Sequence, residues 1–517
     1  SQIATFGTMG AKGVIKDVGR VLDMSYSEAD RLSRMIPTRP GHNTTLEEAL
    51  SEEPQFRAEV RNNPQARKLI EYALKLEGTT RSLGIHAGGV LIAPGKLIDF
   101  CPLYAAGMLP ENVISMYDKK DVEAVGLVKF DFLGLTTLTI IERALDYIEK
   151  NTGVRPDIEH MECDDEDTYK KIFQTGDTVA VFQFESPGMH KLLIDAKPTQ
   201  LSDLIALNAL YRPGPMDLIP DFLDIRAGRK KAEYADPRLI PILEDTAGIM
   251  VYQEQVLEIV RTLAGYSLGK ADSMRRVISK KKADQMLIER KNFIYGSDDG
   301  DIPGCIKNGI DEQTAISIFD EINDFANYAF NKSHAAAYAF VTYQTAYLKT
   351  FYPVEYMASL ISSIDDLDKI NHYIANCKEM GIDRLPPDVN KSEDTFTVEN
   401  NSIRFGLSAV KNVGRAMILN LVNERKNNGK FKTFSDFIDR MAGQDMNKRA
   451  LEGLISCGAF DSMGVKRSQL LAVYEKALDG TARAARDNVA GQMSLFDTIE
   501  EQSEMQFPNI DELDKKT

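Results

Sequence analysis

The sequence has 517 residues, of which 43% are hydrophobic and 27% charged, so its composition is that of ordinary globular proteins and its length suggests roughly three to four domains. No apolar run approaches the ~20 residues that a membrane helix needs, and the formal net charge of −15 discourages nucleic-acid binding by the chain as a whole. The five cysteines are scattered without a CxxC pair, which argues against disulfides and zinc sites and for a reduced, cytoplasmic protein.

The first predicted region, to about residue 85, is mostly helical and carries a row of cations. Lys12, Lys16 and Arg20 are four residues apart, so they lie on one stripe of one helix. One interpretation is a solvated helix face. The other is a row of contacts to nucleic-acid phosphates.

Two strands are predicted in the turn-rich stretch that follows. Residues 86–94 (HAGGVLIAP) read as a turn that leads into a buried strand, and residues 128–135 (VKFDFLGL) alternate as a half-buried strand does. One face of the second strand is apolar and carries Val128, Phe130 and Phe132. The other face carries Lys129 and Asp131, a single ammonium and a single carboxylate that point to chemistry on this side.

From Leu138 to about residue 385 the pattern is mainly helical, and its first helix, LTIIERALDYIEKNTG, is predicted to stop at its final glycine, Gly153. The region also includes a strongly basic helix. Within ADSMRRVISKKKADQM the positive charges repel one another, so an exposed helix gains from them only when an anion such as a triphosphate or a nucleic-acid backbone is present. A solvated basic helix is the alternative. The cations are Arg275, Arg276, Lys280, Lys281 and Lys282.

Two further motifs in this region suit a nucleotide. FANYAFNKSHAAAYAF places Tyr328, Lys332, His334 and Tyr338 beside small alanines, which lets rings stack on a base or sugar; the alternative is a well-packed helix with polar ends. YRPGPMD is a stiff turn because proline fixes φ, and it holds Arg212 at its entrance as a candidate phosphate clamp.

After the PPDVN boundary, a short strand pair and small helices run to about residue 480. AVKNVGRAM has the pattern of a helix-hairpin-helix turn, where backbone N–H groups with Lys411 or Arg415 could meet a phosphate. An ordinary helical hairpin fits equally well. The acidic clusters at residues 162–169, 297–304 and 365–368 are predicted to be caps or surface loops rather than metal sites.

The end of the chain is polar and acidic, and we predict a flexible linker there. It contains two bulky apolar residues, Leu495 and Phe496, in the stretch GQMSLFD. An apolar anchor in a polar tail is typical of a docking peptide. A stray apolar pair is the alternative.

Taken together, these motifs resemble one family. QIATFGTMGAKGVIKDVGRVL, HAGGVLIAP, GLVKFDFLGLTTL, VFQFESPGM, LYRPGPM, YQEQV, RRVISKKK, FNKSHAAAYA and LISCGAFDSMG occur in order and are similar to the α subunit of bacterial DNA polymerase III, a C-family polymerase. The resemblance extends from Gln2 to Phe496.

The resemblance implies an α+β, predominantly helical, multidomain fold. Its expected parts are a thumb at residues 1–85, the C-terminal part of a palm with a mixed β-sheet at 86–136, fingers at 137–385, a little-finger and helix-hairpin-helix DNA-binding region at 386–480, and a linker with a clamp-binding peptide at 481–517.

It also implies roles for the candidate residues. Asp131 matches the third palm carboxylate that holds two Mg²⁺ ions, and Lys129 matches a residue near the incoming triphosphate. The expected nucleotide-binding residues are Lys129, Arg212, Arg275, Arg276, Tyr328, Lys332 and His334. The expected DNA-binding residues are Lys12, Lys16, Arg20, Lys280, Lys281, Lys282, Lys411 and Arg415. The expected sliding-clamp peptide is Gln492, Met493, Ser494, Leu495 and Phe496.

One part of the family pattern is missing from the sequence. The family places two further metal carboxylates in a P-D-x-D-x-D-F strand, and neither this motif nor the family's glycine-serine nucleotide motif occurs here. We therefore expect an internal fragment of a replicative polymerase that adds dNTPs to a primer 3′-OH on primer-template DNA, with the sliding clamp and other holoenzyme subunits as partners and no membrane. The fragment alone is expected to be inactive. The alternative is a non-enzymatic DNA- and clamp-binding module.

Overall fold

The computed structural model describes residues 1–37, 43–105, 113–212, 214–279, 283–325, 329–364, 366–489 and 506–513. The chain forms two units, Ser1–Leu135 and Thr136–Thr517. Helices dominate both units and a mixed sheet lies in the first, so the predicted α+β, predominantly helical fold class is confirmed. The predicted domain boundary between residues 85 and 86 falls inside a strand, Thr80–Ile92, and the assignment to thumb, palm and fingers stays a prediction.

The described part of the first unit contains a block of five helices, which lies in the chain between the first and second strands of a five-stranded sheet. Most of its first 85 residues are helical, as predicted, and a strand that the sequence analysis missed precedes the helices. In chain order the elements are β1 (Gln2–Thr8), α1 (Ala11–Val21), α2 (Tyr26–Arg34), α3 (Leu46–Glu52), α4 (Pro54–Asn62), α5 (Pro64–Leu76), β2 (Thr80–Ile92), β3 (Leu103–Ala105), β4 (Val113–Ser115), α6 (Asp121–Ala124) and β5 (Val128–Asp131).

The sheet has the strand order β3-β4-β1-β2-β5 and is mixed, because β1 pairs antiparallel with β2 and parallel with β4. The strand predicted within residues 86–94 forms as the end of β2 and pairs with β5. The turn predicted before it is instead an irregular part of the same strand, since the register jumps between the pairs Gln2↔Val90 and Ala4↔Ile85. His86 stabilises this irregularity, because its Nδ1 accepts hydrogen bonds from the backbone N–H groups of Gly88 at 3.3 Å and Gly89 at 2.8 Å.

The prediction that the apolar face of β5 is buried is wrong. Val128, Phe130 and Phe132 are 54%, 45% and 67% exposed. Lys129 pairs in register with the buried Leu91, so the face with the polar side chains is the one that adjoins the core. The core of the sheet, which includes Leu91, packs against the face of β5 that carries Lys129. Among the described residues, no such core lies against the face that carries Val128, Phe130 and Phe132 at this end strand of the sheet.

The second unit is helical apart from one small sheet. Its helices are α7 (Thr136–Thr152), α8 (Glu166–Thr168), α9 (Pro187–Ala196), α10 (Leu201–Leu210), α11 (Ile219–Arg226), α12 (Ile240–Leu243), α13 (Gln253–Ala264), α14 (Leu268–Ser279), α15 (Ala283–Tyr295), α16 (Glu312–Phe325), α17 (Lys332–Phe351), α18 (Pro353–Ser362), α19 (Leu367–Glu379), α20 (Arg415–Asn428), α21 (Phe434–Arg440), α22 (Lys448–Ser456) and α23 (Arg467–Val489). Its strands are β6 (Arg384–Leu385), β7 (Thr397–Glu399) and β8 (Ser402–Arg404).

Helix α17 lies at the centre of this unit and packs against α7, α10 and α18. The predicted stop of α7 is confirmed, since Gly153 follows its last residue with φ +78°, a conformation that glycine adopts without strain. The predicted basic helix lies in α14 and α15. Lys280, Lys281 and Lys282 fall outside the described residues.

The helix-hairpin-helix region differs from the prediction in its first half. The predicted strand pair forms as β7 and β8, and β6 adds a third, parallel strand. A single 3₁₀ turn, Leu407–Ala409, stands where the first helix was expected. The second helix forms as α20, which begins at Arg415.

Part of the predicted flexible tail is ordered. Residues 506–513 pack on the first turn of α23, where Phe507 contacts the core. The Glu512 carboxylate accepts hydrogen bonds from the backbone N–H groups of Arg467 at 3.0 Å and Ser468 at 3.1 Å. A carboxylate at a helix N-terminus satisfies N–H groups that the helix leaves open, which the composition of the tail did not indicate.

Two acidic clusters contribute helix caps. Asp165 caps α8 and Asp366 caps α19 through backbone N–H groups. All five cysteines are free thiols. No helix in the described ranges is long and apolar enough to cross a membrane.

Candidate functional site

Two helices of the second unit begin side by side at one backbone bridge. Tyr252 and Phe330 form an isolated parallel bridge, in which Gln253 N donates to Phe330 O at 2.9 Å and Phe330 N donates to Val251 O at 3.2 Å. Helix α13 starts at Gln253 and α17 at Lys332. We call this place the helix junction. Each helix end brings partial positive charge to it.

A shared carboxylate ties the junction together. Asn331 caps α17, because its Oδ1 accepts from His334 N at 2.8 Å. Glu254, in the first turn of α13, accepts from Asn331 Nδ2 at 3.1 Å and from Lys332 N at 2.9 Å. The backbone of the junction is therefore held by α13 and α17 together.

A row of aromatic rings runs from the junction along α17. His334 and Tyr338 are four residues apart and share a face of α17, and Phe330 lies just before the helix, beside the cap Asn331. Their neighbouring ring centroids are 5.3 Å and 4.2 Å apart, and Tyr338 lies 5.4 Å from Phe182. We call these four rings the aromatic ladder. Arg212 closes its junction end, with its guanidinium carbon 4.1 Å from the Phe330 centroid.

Two cations at the junction, Arg212 and Lys332, have side chains that pack on aromatic rings. Lys332 Nζ lies 5.2 Å from the ring centroid of Tyr252, whose burial raises the pKa of its phenol. Among the described residues, neither the Arg212 guanidinium nor the Lys332 ammonium forms an ion pair, although the Glu254 carboxylate accepts from the Lys332 backbone N–H at 2.9 Å. Both side chains are exposed, so their charge is available to an anion.

Of the two arginines of α14, Arg275 contacts the junction directly, and Arg276 shares an acidic partner with it. Arg275 donates to Gln253 Oε1 at 3.3 Å, and both arginines pair with Asp272, at 2.8 Å and 2.7 Å. The hydrogen bond from Arg275, together with both nearby charges, lowers the pKa of Asp272. Four predicted nucleotide residues, namely Arg212, Arg275, Lys332 and His334, therefore surround one place.

The candidate metal ligand belongs to the other unit. Asp131 is exposed and stands opposite Gly89 in the β2–β5 pair, and Lys129 on the same face pairs with Glu123 at 3.2 Å. No group of three or more His, Cys, Asp or Glu side chains among the described residues could hold a metal ion. The residues described here supply one carboxylate of the expected set.

The cations of α1 do share one helix, as predicted, but they have acidic partners. Lys16 pairs with Asp30 at 2.7 Å, and the hydrogen bond between them lowers the pKa of Asp30. Arg20 pairs with Asp17 at 3.3 Å, and Lys12 is half-buried. This geometry is what a solvated, ion-paired helix face would show.

The helix-hairpin-helix turn is tightly built. Asn412 has φ +68°, and Gly414 precedes α20 without a side-chain cap. A Cβ on Gly453 of α22 would lie 2.6 Å from Lys411 O, so the turn packs closely on α22. Lys411 and Arg415 are both exposed.

The remaining predicted residues cannot be placed. Lys280, Lys281, Lys282 and Tyr328 lie outside the described residues, as do Gln492, Met493, Ser494, Leu495 and Phe496. Sequence reasoning missed Phe330, although its spacing from His334 could have revealed it. It also missed Phe182 as a ladder ring and the partners Tyr252, Gln253 and Glu254, which only the fold brings close.

A ladder of rings, ring-backed cations at two helix starts and a helix-hairpin-helix turn are typical of proteins that bind nucleotides and nucleic-acid strands. Comparison with known families agrees with this class. Residues 1–134 match the bacterial DNA polymerase III alpha NTPase domain, residues 137–300 match the bacterial DNA polymerase III alpha subunit finger domain, and residues 381–470 match a helix-hairpin-helix motif. The chain belongs to the DNA polymerase III α-subunit family.

Individual relatives are similar over almost the whole chain. The DNA polymerase III subunit alpha of Neisseria meningitidis serogroup B is 46% identical over 97% of the chain and 43% of its own length. Those of Pseudomonas aeruginosa and Thermus aquaticus are 44% and 41% identical over 96% and 99% of the chain, and over 44% and 42% of their own lengths. The chain thus spans less than half the length of these curated relatives.

Proposed function

We propose that the chain is the nucleotide- and DNA-binding part of a replicative DNA-directed DNA polymerase. The whole protein would add dNTPs to a primer 3′-OH on a template by two-metal nucleotidyl transfer, in the cytoplasm, with other holoenzyme subunits. The observation that carries this proposal is the helix junction, where Arg212 and Lys332 are exposed and ring-backed.

At the junction, each group has a separate task. Arg212, Lys332 and Arg275 with Arg276 supply positive charge and N–H donors to a triphosphate, which such donors bind strongly. His334 and Tyr338 supply ring faces for the base or sugar of the same nucleotide. The arginines of α14 must exchange their Asp272 contacts for phosphate contacts when the nucleotide binds.

Asp131 would be one Mg²⁺ ligand in the whole protein, where such ions would supply Lewis-acid chemistry at the primer 3′-OH and the leaving pyrophosphate. Two closely spaced divalent ions repel each other, and one carboxylate compensates too little of that repulsion. The described residues therefore do not fit a complete two-metal site. We expect the isolated chain to show little or no nucleotidyl transfer.

Primer extension with Mg²⁺ and all four dNTPs tests this proposal. The chain is assayed alone and then with a polypeptide that carries the family's P-D-x-D-x-D-F strand, with Asp131→Asn as the matched control. Extension only in the mixture, and its loss in the control, supports a divided metal site. Robust extension by the chain alone would contradict it.

DNA contacts are proposed for three groups of cations. Lys411 and Arg415 have the best support, since they flank a rigid, exposed turn in the matched helix-hairpin-helix region. Lys12, Lys16 and Arg20 of α1 have weaker support because acids pair with two of them. Lys280, Lys281 and Lys282 rest on the sequence alone.

The sliding clamp is the proposed partner of Gln492, Met493, Ser494, Leu495 and Phe496. Replacing Leu495 and Phe496 by alanine removes the apolar area that would be buried, which should cost a few kcal/mol at ~25 cal/mol per Å². A surface-plasmon titration against the clamp measures this loss. Unchanged affinity would refute the assignment.

A non-enzymatic DNA- and clamp-binding module is the second candidate. The family pattern expects three carboxylates that hold the metal ions. The observation in favour of the second candidate is that, among the described residues, Asp131 alone stands for that set. Tight binding of primer-template DNA, with no extension in either assay above, would select this function provided that both polypeptides are folded by circular dichroism.

A further inference from the structure

A cavity of about 470 Å³ opens in the second unit beyond the far end of the aromatic ladder. Its floor is apolar and is formed by the buried Ile140, Ala180, Tyr356 and Leu360. Its polar lining includes two carboxylates and one ammonium, and consists of Thr136, Thr137, Gln183, Glu185, Ser363, Asp366, Lys369 and Tyr373. An apolar cleft with a few converging polar groups is the usual form of a small-molecule or base pocket.

One wall of the cavity is a loop in a strained conformation. Ala180 and Gln183 have φ of +68° and +61°, values that residues other than glycine rarely adopt. The loop is held there by its neighbours, since Phe182 N donates to Thr345 Oγ1 at 3.1 Å and Tyr356 Oη donates to Ala180 O at 2.5 Å. Strained backbone that is held in place by neighbouring residues is found mainly at ligand-binding and active sites.

The charged group on this wall is the Glu185 carboxylate, which the Tyr373 hydroxyl orients. Tyr373 Oη lies 3.0 Å and 2.9 Å from the two Glu185 oxygens and donates to them. Glu185 is exposed at the rim, and the protein packed around its carboxylate raises its pKa, an effect that the Tyr373 hydrogen bond and the nearby His372 and Lys369 oppose. A carboxylate in this setting repels phosphate and favours a neutral ligand that donates N–H groups.

The ladder connects this cavity to the proposed nucleotide site. Phe182 lines the cavity and is also the last ladder ring, 5.4 Å from Tyr338. Lys369 lies at the rim, where an ammonium can meet the phosphate of a nucleotide whose base points inward. Base-stacking rings, a hydrogen-bond acceptor and a rim cation thus occur together.

We propose that this cavity receives a single unpaired base of a DNA strand, and that the Glu185 carboxylate accepts hydrogen bonds from N–H groups on the base edge. Guanine fits best, because its Watson–Crick edge presents two N–H donors side by side to the two carboxylate oxygens. Phe182 provides a ring at the entrance, as in sites that bind extruded bases. The proposal extends the proposed DNA binding but does not depend on nucleotidyl transfer.

Fluorescence anisotropy with labelled 12-nucleotide strands tests the proposal on the full chain. One strand is all thymidine and the other has a single central deoxyguanosine. We expect the second strand to bind at least about tenfold tighter, the discrimination of one good bidentate contact. Glu185→Gln keeps an acceptor for Tyr373 but presents only one acceptor to the base, so the preference should fall to about twofold or less.

Glu166→Gln, an exposed glutamate of α8 that pairs with Lys170 at 2.5 Å, is the matched control and should keep the full preference. Thermal unfolding followed by circular dichroism confirms that both variants fold. Equal affinity for the two strands, or an unchanged preference in Glu185→Gln, would overturn the pocket while leaving DNA binding intact. Binding of neither strand would overturn both proposals. Displacement by equimolar free dGTP would assign the pocket to a mononucleotide instead of a strand.

Discussion

Helix α1 and the helix junction both carry a group of cations, but the two groups have different partners. On α1, Lys16 pairs with Asp30 at 2.7 Å and Arg20 with Asp17 at 3.3 Å. At the junction, Arg212 lies 4.1 Å from the centroid of Phe330, and Lys332 packs in the same way on a buried tyrosine.

The difference between the partners decides which charges an anion can use. An exposed ion pair and an exposed cation–π contact stabilise by similar small amounts, about 1 kcal/mol or less each. A carboxylate cancels the charge of its partner, whereas a ring orients the cation and leaves its charge in place. The junction should therefore bind phosphate more strongly than α1 does, although α1 has the more regular basic pattern.

The largest expected effect comes from removing the guanidinium at the junction. Arg212→Ala should weaken binding of a fluorescent deoxynucleoside triphosphate by about 10- to 100-fold, because a charge-assisted hydrogen bond contributes roughly 1.5–3 kcal/mol. Anisotropy titration measures the change. Arg261→Ala is the control, since Arg261 is an exposed arginine of α13 that pairs with Glu258 at 2.6 Å. If both variants lose affinity equally, the contrast between ring-backed and acid-paired cations fails.

A smaller loss is expected when the ring beneath Arg212 is removed. Phe330→Leu keeps apolar bulk but takes away the ring that orients Arg212 and His334, and should weaken nucleotide binding by about 3- to 10-fold. Phe351→Leu, at the other end of α17 and 4.7 Å from the ring of Tyr347, is the control for general loss of aromatic packing. Unchanged affinity in Phe330→Leu would show that the ring does not position the cation.

Local spacing was enough to predict much of the fold and part of the site. Four-residue spacing placed the cations of α1 on one stripe, and the glycine stop after α7 was visible because the chain signals such ends locally. The sequence also grouped His334 and Tyr338 in one motif. These features depend on residues within one or two helical turns, which a sequence displays directly.

Features that depend on distant residues were missed or predicted wrongly. Phe182 joins the ladder from more than 150 residues away, and Glu512 caps α23 from a tail whose composition suggested disorder. The alternation of β5 correctly predicted a strand but gave the wrong buried face, because burial depends on which strand ends the sheet. Tertiary neighbours, rather than local pattern, decide such cases.

A modest gain is expected on α1 when one acid is neutralised. Asp30→Asn removes the carboxylate that pairs with Lys16 and, at 2.6 Å, with Arg34. If α1 faces DNA, duplex affinity at low salt should rise by about two- to threefold, and the slope of log K against log[salt] should steepen by up to about one. Glu71→Gln of α5, which pairs with Lys75 at 3.5 Å, is the control. A fall in affinity, or an equal rise in the control, would contradict this use of α1.

The smallest expected effect is the pH dependence of the Lys16–Asp30 pair. Its hydrogen bond lowers the pKa of Asp30 below the ordinary 3.8, so the stabilisation is fully present above that value and is lost as pH falls through the folded-state pKa. Asp30→Asn should therefore lower the melting temperature by about 3 °C or less near pH 6, and the gap should shrink as pH falls below about 3.8. Thermal unfolding of both proteins across this range measures the gap. A gap that persists or widens in acid would mean that the substitution acts through packing instead of charge, and the description of α1 as an ion-paired face would then lose its physical basis.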